Sequence, residues 1–151
     1  MKKTKQDYLF VSLQLCLFLL FIFAPDLHHF RFPKLLRIFG LIFSILGVLM
    51  ILLALFQLSD ALTPFPSPKT GASLKTDGLY RWIRHPIYSG ILLFFLAWSC
   101  YTSALSQFIV TALLYLLFFF KSRYEEERLL GVYGEDYRIY QSQVGRFFPK
   151  Y

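Results

Sequence analysis

Four stretches of the chain are almost uninterrupted in apolar residues: Tyr8 to Ala24, Leu35 to Leu58, Ile87 to Tyr101 and Ala104 to Phe120. Each falls within or near the ~17–25 residues that a helix needs to cross about 30 Å of hydrocarbon. The third is the shortest. It spans if the turn beginning at Pro86 contributes and the bilayer thins locally, or if the third and fourth helices form a hairpin partly shielded by protein. The first run has the basic start and apolar centre of a secretory signal. It is long for such a core, no small-x-small cleavage pattern follows, and another apolar run starts about ten residues later, so it reads as a retained helix.

Two polar stretches punctuate this pattern. In "SDALTPFPSPKTGASLKTDG" the prolines and glycines end any helix, and the hydroxyl and charged residues do not belong in lipid, so the segment reads as a connector. After the fourth run, "KSRYEEERLLGVYGEDYRIYQSQVGRFFPKY" is charged yet carries Leu129, Leu130, Val132, Tyr133, Tyr137 and Tyr140 at helical spacing. That spacing predicts an amphipathic helical segment packed on the protein or the headgroup layer, broken near Gly134.

Composition supports the same class: 56% hydrophobic and 17% charged residues in 151, with a mean hydropathy of +0.51, exclude an ordinary soluble domain. The expected fold is all-α and integral to the membrane, with about four transmembrane helices and a C-terminal cytoplasmic amphipathic segment, in one domain over 1–151. Thirteen of the sixteen lysines and arginines fall on one side of this arrangement, leaving Arg31, Lys34 and Arg37 on the other. The positive-inside rule then places both termini and the Ser59 to His85 loop in the cytoplasm. The net charge of +7 reads as topology and attraction to anionic headgroups, not as nucleic-acid binding. Cys16 and Cys100 lie in or at the end of apolar runs, where a thiol behaves as a small hydrophobe. His28 and His29, in an outward loop beside Asp26, read as solvated residues, and no metal site is expected.

Chemistry concentrates in "GLYRWIRHPIYSG", directly ahead of the third run. Pro86 suits a first helical turn and forces His85 out of helical geometry. The first amides of that helix favour an anionic group, while Tyr80, Trp82 and Tyr88 offer aromatic faces to a base or a cation. The plain alternative is an interfacial belt of aromatic and basic residues among headgroups. Beyond the fourth run, Glu125, Glu126 and Glu127 lie on the same side, with Lys121 one helical turn before Glu125. Three carboxylates gain nothing from anionic headgroups. They suit a cationic partner, or else form a solvated acidic face paired with Arg123 and Arg128.

Together "TDGLYRWIRHPIYSG" and "RYEEERLLGVYGEDYRIYQSQVGRFFP" resemble the isoprenylcysteine carboxyl methyltransferase family and its wider relatives, which include bacterial phospholipid N-methyltransferases. The resemblance covers about Leu74 to Pro149 and rests on the order and spacing of two separate motifs. It implies a multi-helix membrane enzyme that binds S-adenosylmethionine at the cytoplasmic face, with the cofactor-binding half over 72–151. It places Tyr80, His85, Pro86, Ile87 and Tyr88 around the cofactor with Ser73, Leu74 and Lys75 beside them, and Glu125 and Glu126 as the cofactor-contacting pair. The eukaryotic members carry an arginine, one turn before the glutamate, that helps engage the substrate. Here Lys121 stands there, a point charge that cannot make the planar two-point contact with a carboxylate. Arg123 is the substitute, or the acceptor is not a carboxylate.

The expected activity is therefore methyl transfer to a lipid-like or prenylated carboxylate or amine delivered from the membrane lipids. For an amine, His85 or a glutamate is the nearest base, and His85 is the catalytic candidate. A nicotinamide-dependent membrane reductase and a non-catalytic membrane scaffold are the alternatives.

Overall fold

The computed structural model describes residues 4–25, 31–58 and 73–150. His28 and His29 and most of the connector lie outside them. The described residues form five α-helices, α1 (Lys5–Phe23), α2 (Lys34–Gln57), α3 (Pro86–Thr102), α4 (Leu105–Tyr133) and α5 (Glu135–Gln143), with a 3-10 turn over Gly78–Arg81. The described residues contain no strand, only an isolated parallel bridge between Ile83 and Gly145. The chain is an all-helical integral membrane protein. α1, α2 and α4 are long and apolar enough to cross a bilayer, and α3 is shorter.

Helices α2, α3, α4 and α1 pack in that order, each antiparallel to the next. The α2–α3 seam is made by small residues: Gly40, Ser44, Gly47 and Ala54 are buried at alternating spacings of four, three and seven, which keeps one stripe of α2 toward α3. A Cβ on Gly47 would come 2.7 Å from the Phe94 amide nitrogen, and one on Gly40 2.7 Å from the Ala97 carbonyl oxygen, so the backbones touch where side chains are absent. Such close approach is how membrane helices associate when lipid removes the hydrophobic drive between them. α3, the shortest of the four, is thus the central one, flanked by α2 and α4. On its other side Phe95 meets Phe18 and Phe21 of α1, and Ser99 meets Thr111 of α4. The lipid-facing positions of α1 and α2, such as Ile22, Leu52 and Phe56, remain exposed.

A single left-handed residue, Ser103 (φ 62°), turns α3 directly into α4. α4 has 29 residues, about 43 Å at 1.5 Å per residue, so roughly its last two and a half turns extend beyond about 30 Å of hydrocarbon. The apolar run ends at Phe120 but the helix does not, and the acidic run continues it without a break. α1 caps itself through Thr4 and Asp7 and is tied to this extension, Thr4 Oγ1 lying 2.7 Å from the Tyr124 hydroxyl and Arg128 3.8 Å from Asp7. Gly134 (φ 56°) then breaks the chain as the sequence predicts, and α5 folds back. Tyr137, Tyr140 and Val144 pack with Leu74, Leu129, Leu130 and Tyr133, while Val132 stays exposed.

Candidate functional site

The antiparallel order brings the start of α3, the extension of α4 and the segment after α5 to one end of the bundle. His85 (φ −122°, ψ 63°) precedes Pro86 in non-helical geometry, and Pro86 opens α3 without an amide hydrogen to satisfy. The amides just ahead of α3 do not face a ligand: Arg84 N–H donates to the Gly145 carbonyl at 2.8 Å and His85 N–H to that of Arg146 at 3.0 Å. Ser89 Oγ fixes the next residue by donating to the Phe147 carbonyl at 2.8 Å. Tyr140 donates to the Tyr80 carbonyl at 2.6 Å, anchoring α5 to the 3-10 turn.

Two neighbouring glutamates occupy different environments. Glu126 is 3% exposed, and both its oxygens are engaged. Arg84 Nε donates to Oε1 at 2.9 Å, Arg146 to Oε1 at 3.1 Å and to Oε2 at 2.6 Å, and Gln141 to Oε2 at 3.1 Å. His85 Nε2 lies 3.1 Å from Oε1. Arg84 also donates to the carbonyls of Gln141 and Val144, locking the segment after α5 in place. The acidic run is therefore not paired with Arg123 and Arg128: its arginines are Arg84 and Arg146, from other elements, because Glu126 points into the bundle and both neighbours point elsewhere. Arg128 engages Tyr124 and Asp7. Arg123 is exposed, its guanidinium 6.0 Å from the Phe119 ring centroid.

Glu125 is half-buried and receives the Tyr88 hydroxyl at 3.0 Å, with His85 Nδ1 3.7 Å away. Among the described residues no arginine or lysine lies within ion-pair distance of it. The His85, Tyr88 and Phe118 rings form a stack, 5.4 Å and 4.5 Å between successive centroids, giving Glu125 an aromatic wall. Lys121 is buried over the Tyr88 ring, 5.3 Å from its centroid. A cleft of about 240 Å³ opens beside Glu126, lined by Arg123, Glu126, Glu127, Leu130, Gln141 and Arg146.

The structure thus gathers His85, Pro86, Tyr88, Lys121, Glu125 and Glu126, with Tyr80 close enough to feel the Glu125 charge. Burial pushes the Tyr80, Tyr137 and Tyr140 hydroxyls well above the usual phenol range, reinforced by Glu125 at Tyr80 and by Glu126 at the other two. Ile87 is half-buried on the first turn of α3. Three residues are placed differently: Ser73 is exposed, Leu74 packs in the tyrosine cluster, and Lys75 pairs with Asp77 at 3.1 Å. Arg84, Gln141 and Arg146 were not among the expected site residues. Arg84 and Arg146 belong to the two motifs, and two arginines flanking one buried carboxylate are the signal. The described residues contain no group of side chains suited to a metal ion.

Comparison with known proteins identifies the family of the chain. The sequence profile of the phospholipid methyltransferase family matches residues 35–136. A methanethiol S-methyltransferase of Pseudomonas deceptionensis is 39% identical over 93 residues, covering 62% of this chain and 34% of that protein. A protein-S-isoprenylcysteine O-methyltransferase of Schizosaccharomyces pombe is 30% identical over 142 residues, covering 84% of this chain and 58% of that one. The solved structure of a eukaryotic intramembrane Ras methyltransferase, isoprenylcysteine carboxyl methyltransferase, superimposes with a TM-score of 0.68 at 26% identity, over 99% of this chain and 54% of that one. The chain therefore spans from about a third to somewhat over half of the length of these relatives.

Proposed function

Because the chain belongs to the phospholipid methyltransferase family, we propose that it is an S-adenosylmethionine-dependent methyltransferase acting on a lipid-like or prenylated acceptor at the cytoplasmic membrane face. The chain is one membrane domain whose residues 72–151 form the donor-binding half. The observation that carries this reading is the contrast between the two glutamates. Glu126 is saturated by arginines and builds the site, whereas Glu125 has no arginine or lysine within ion-pair distance, its nearest basic group being His85 Nδ1 at 3.7 Å, and sits beside an aromatic stack. A half-buried carboxylate next to aromatic faces suits a sulfonium or an ammonium, and S-adenosylmethionine carries both.

When bound, the donor supplies a methyl already activated on sulfonium, so that an acceptor lone pair forms the new bond to the methyl carbon as one carbon–sulfur bond breaks and a thioether leaves. The protein's own part is to hold and align. Tyr88 fixes the Glu125 carboxylate through its hydroxyl, and His85 is held against both glutamates, placed to accept a proton from an amine acceptor. Arg123 and Arg146, lining the cleft, suit the donor's α-carboxylate.

The test is donor binding by thermal stabilisation of the purified protein, together with labelled methyl incorporation into a total lipid extract. Glu125→Gln should weaken donor binding by about 1–3 kcal/mol, roughly 5- to 150-fold, while exposed Glu127→Gln changes it little. His85→Ala should abolish incorporation at equal protein level, Pro86→Ala should reduce it, and exposed Trp82→Phe should retain most of it. Stabilisation by NADPH and not by S-adenosylmethionine would refute the reading.

A further inference from the structure

Gln14 interrupts the apolar run of α1, and Lys121 stands at the end of the apolar run of α4. Gln14 lies nine residues past the start of α1, about 14 Å along it, and Lys121 sixteen residues past the start of α4, about 24 Å. With α1 and α4 antiparallel the two residues share one level, about 24 Å from the start of α4 and so near the end of about 30 Å of hydrocarbon, where buried polar side chains are costly and usually functional. The two meet: Lys121, 2% exposed, donates to Gln14 Oε1 at 2.7 Å.

This contact leaves the cation without a direct counter-charge. An ammonium has three donors, and its hydrogen-bond partner among the described residues is one neutral amide. Glu125, one turn further along α4, acts on it only at longer range. Tyr88 joins the two, offering its ring face to Lys121 and its hydroxyl to Glu125. A carboxylate whose nearest basic group is His85 Nδ1 at 3.7 Å and an ammonium with no carboxylate in direct contact therefore sit at opposite ends of one tyrosine.

We propose that Gln14 is a specificity-determining residue that positions Lys121 and, being neutral, keeps its charge available, so that the site accepts an anionic methyl acceptor, a carboxylate or a thiolate, from the lipid-facing side. This rests on the methyl-transfer reading given above. A protonated amine at the same place would meet the lysine's charge across a low-dielectric gap and be repelled. A point charge suffices for a thiolate or for one carboxylate oxygen, so the lysine needs no planar fork.

The informative variant is Gln14→Glu, which supplies an internal carboxylate to Lys121 with almost no change of volume. The intact protein is reconstituted in lipid nanodiscs and offered an S-prenylated cysteine, a long-chain alkanethiol and a long-chain alkylamine. Acceptor binding is read by thermal stabilisation without donor, and turnover is read as separate KM and kcat with donor. The expected result is stabilisation of the wild type by the thiol or the prenylated cysteine and not by the amine. Gln14→Glu should raise the KM for the anionic acceptor about tenfold or more, while kcat, donor affinity and melting temperature hold. Gln14→Asn should recover part of the loss. Turnover that rises with pH as the thiol ionises identifies a thiolate, and pH-independent turnover of the prenylated cysteine identifies a carboxylate. Stabilisation by the amine in preference to both anions, or an unchanged KM in Gln14→Glu, would overturn the proposal. Failure to bind S-adenosylmethionine with acceptor stabilisation intact would instead overturn the methyl-transfer reading alone.

Discussion

Replacing Glu126 with glutamine removes one charge and almost no volume, and it tests whether the paired acidic residues divide into a structural member and a ligand-binding member. The carboxylate is buried between Arg84, whose side chain is 8% exposed, and Arg146, which is 24% exposed, and it also takes bonds from Gln141 and His85. Removing one member of a buried ion pair costs about 3–5 kcal/mol, because the remaining charge stays desolvated without a partner. Arg146 keeps some contact with water, which moves the expectation to the lower end, about 3 kcal/mol. For a chain of 151 residues each kcal/mol lowers the melting temperature by about 2–4 °C, so the expected drop is about 6–12 °C. The assay is thermal unfolding of the detergent-purified protein, with Glu125→Gln as the control, which forfeits one hydroxyl bond and should stay within a few degrees of wild type. Adding Arg84→Gln to Glu126→Gln should cost far less than the sum of the two single changes, since the second then removes an already unpaired charge. A Glu126→Gln protein melting within about 2 °C of wild type would refute the division of roles.

Three further outcomes follow from the packing and the charge pattern. Gly47→Val should separate α2 from α3 and lower the melting temperature by several degrees, because the new atoms would press on the Phe94 and Gly90 backbone, whereas the same change at exposed Gly131, inside a helix with open space around it, should leave stability unchanged or raise it by a few tenths of a kcal/mol, about 0.3. Gly145→Ala should abolish donor binding, since its Cβ would collide with the Phe148 carbonyl and displace the segment that holds Arg84 and His85; retained binding would show that this segment is dispensable. Reporter fusions placed after Tyr151 should be active only as cytoplasmic reporters, as the distribution of basic residues requires, and activity on the other side would reverse the assigned orientation.

Much of the bundle is legible in the chain. The four apolar runs become α1 to α4 with their limits shifted by a few residues, Pro86 opens α3, and Gly134 separates α4 from α5. These features are local: runs, caps and a break. The extension of α4 by thirteen residues past Phe120 is legible only as the helical spacing of a few apolar residues among charged ones, since no continuous apolar run marks it. The partners of Glu126 were not legible. Rules of one helical turn favour Arg123 and Arg128, while the actual partners lie 42 and 20 positions away and depend on how α3 and the segment after α5 meet α4. Gln14 was overlooked for the opposite reason. A single amide in a hydrocarbon run is a plain signal, but its meaning rests on Lys121, more than a hundred residues later, and on the antiparallel packing of two helices that are not neighbours in sequence.

The short bridge between Ile83 and Gly145 also has a consequence for biogenesis. Helices α1 to α4 can enter the membrane and pack as they emerge, and Arg84 and His85 can meet Glu126 then, but Gln141, Arg146 and the carbonyls that hold the Arg84 and His85 amides arrive only with residues 141–147. A nascent chain halted anywhere before that point would be inserted with its buried Arg84–Glu126 pair still lacking the second arginine and the backbone acceptors that complete it. A chain shortened within this segment would then be an inserted but incompletely tied bundle.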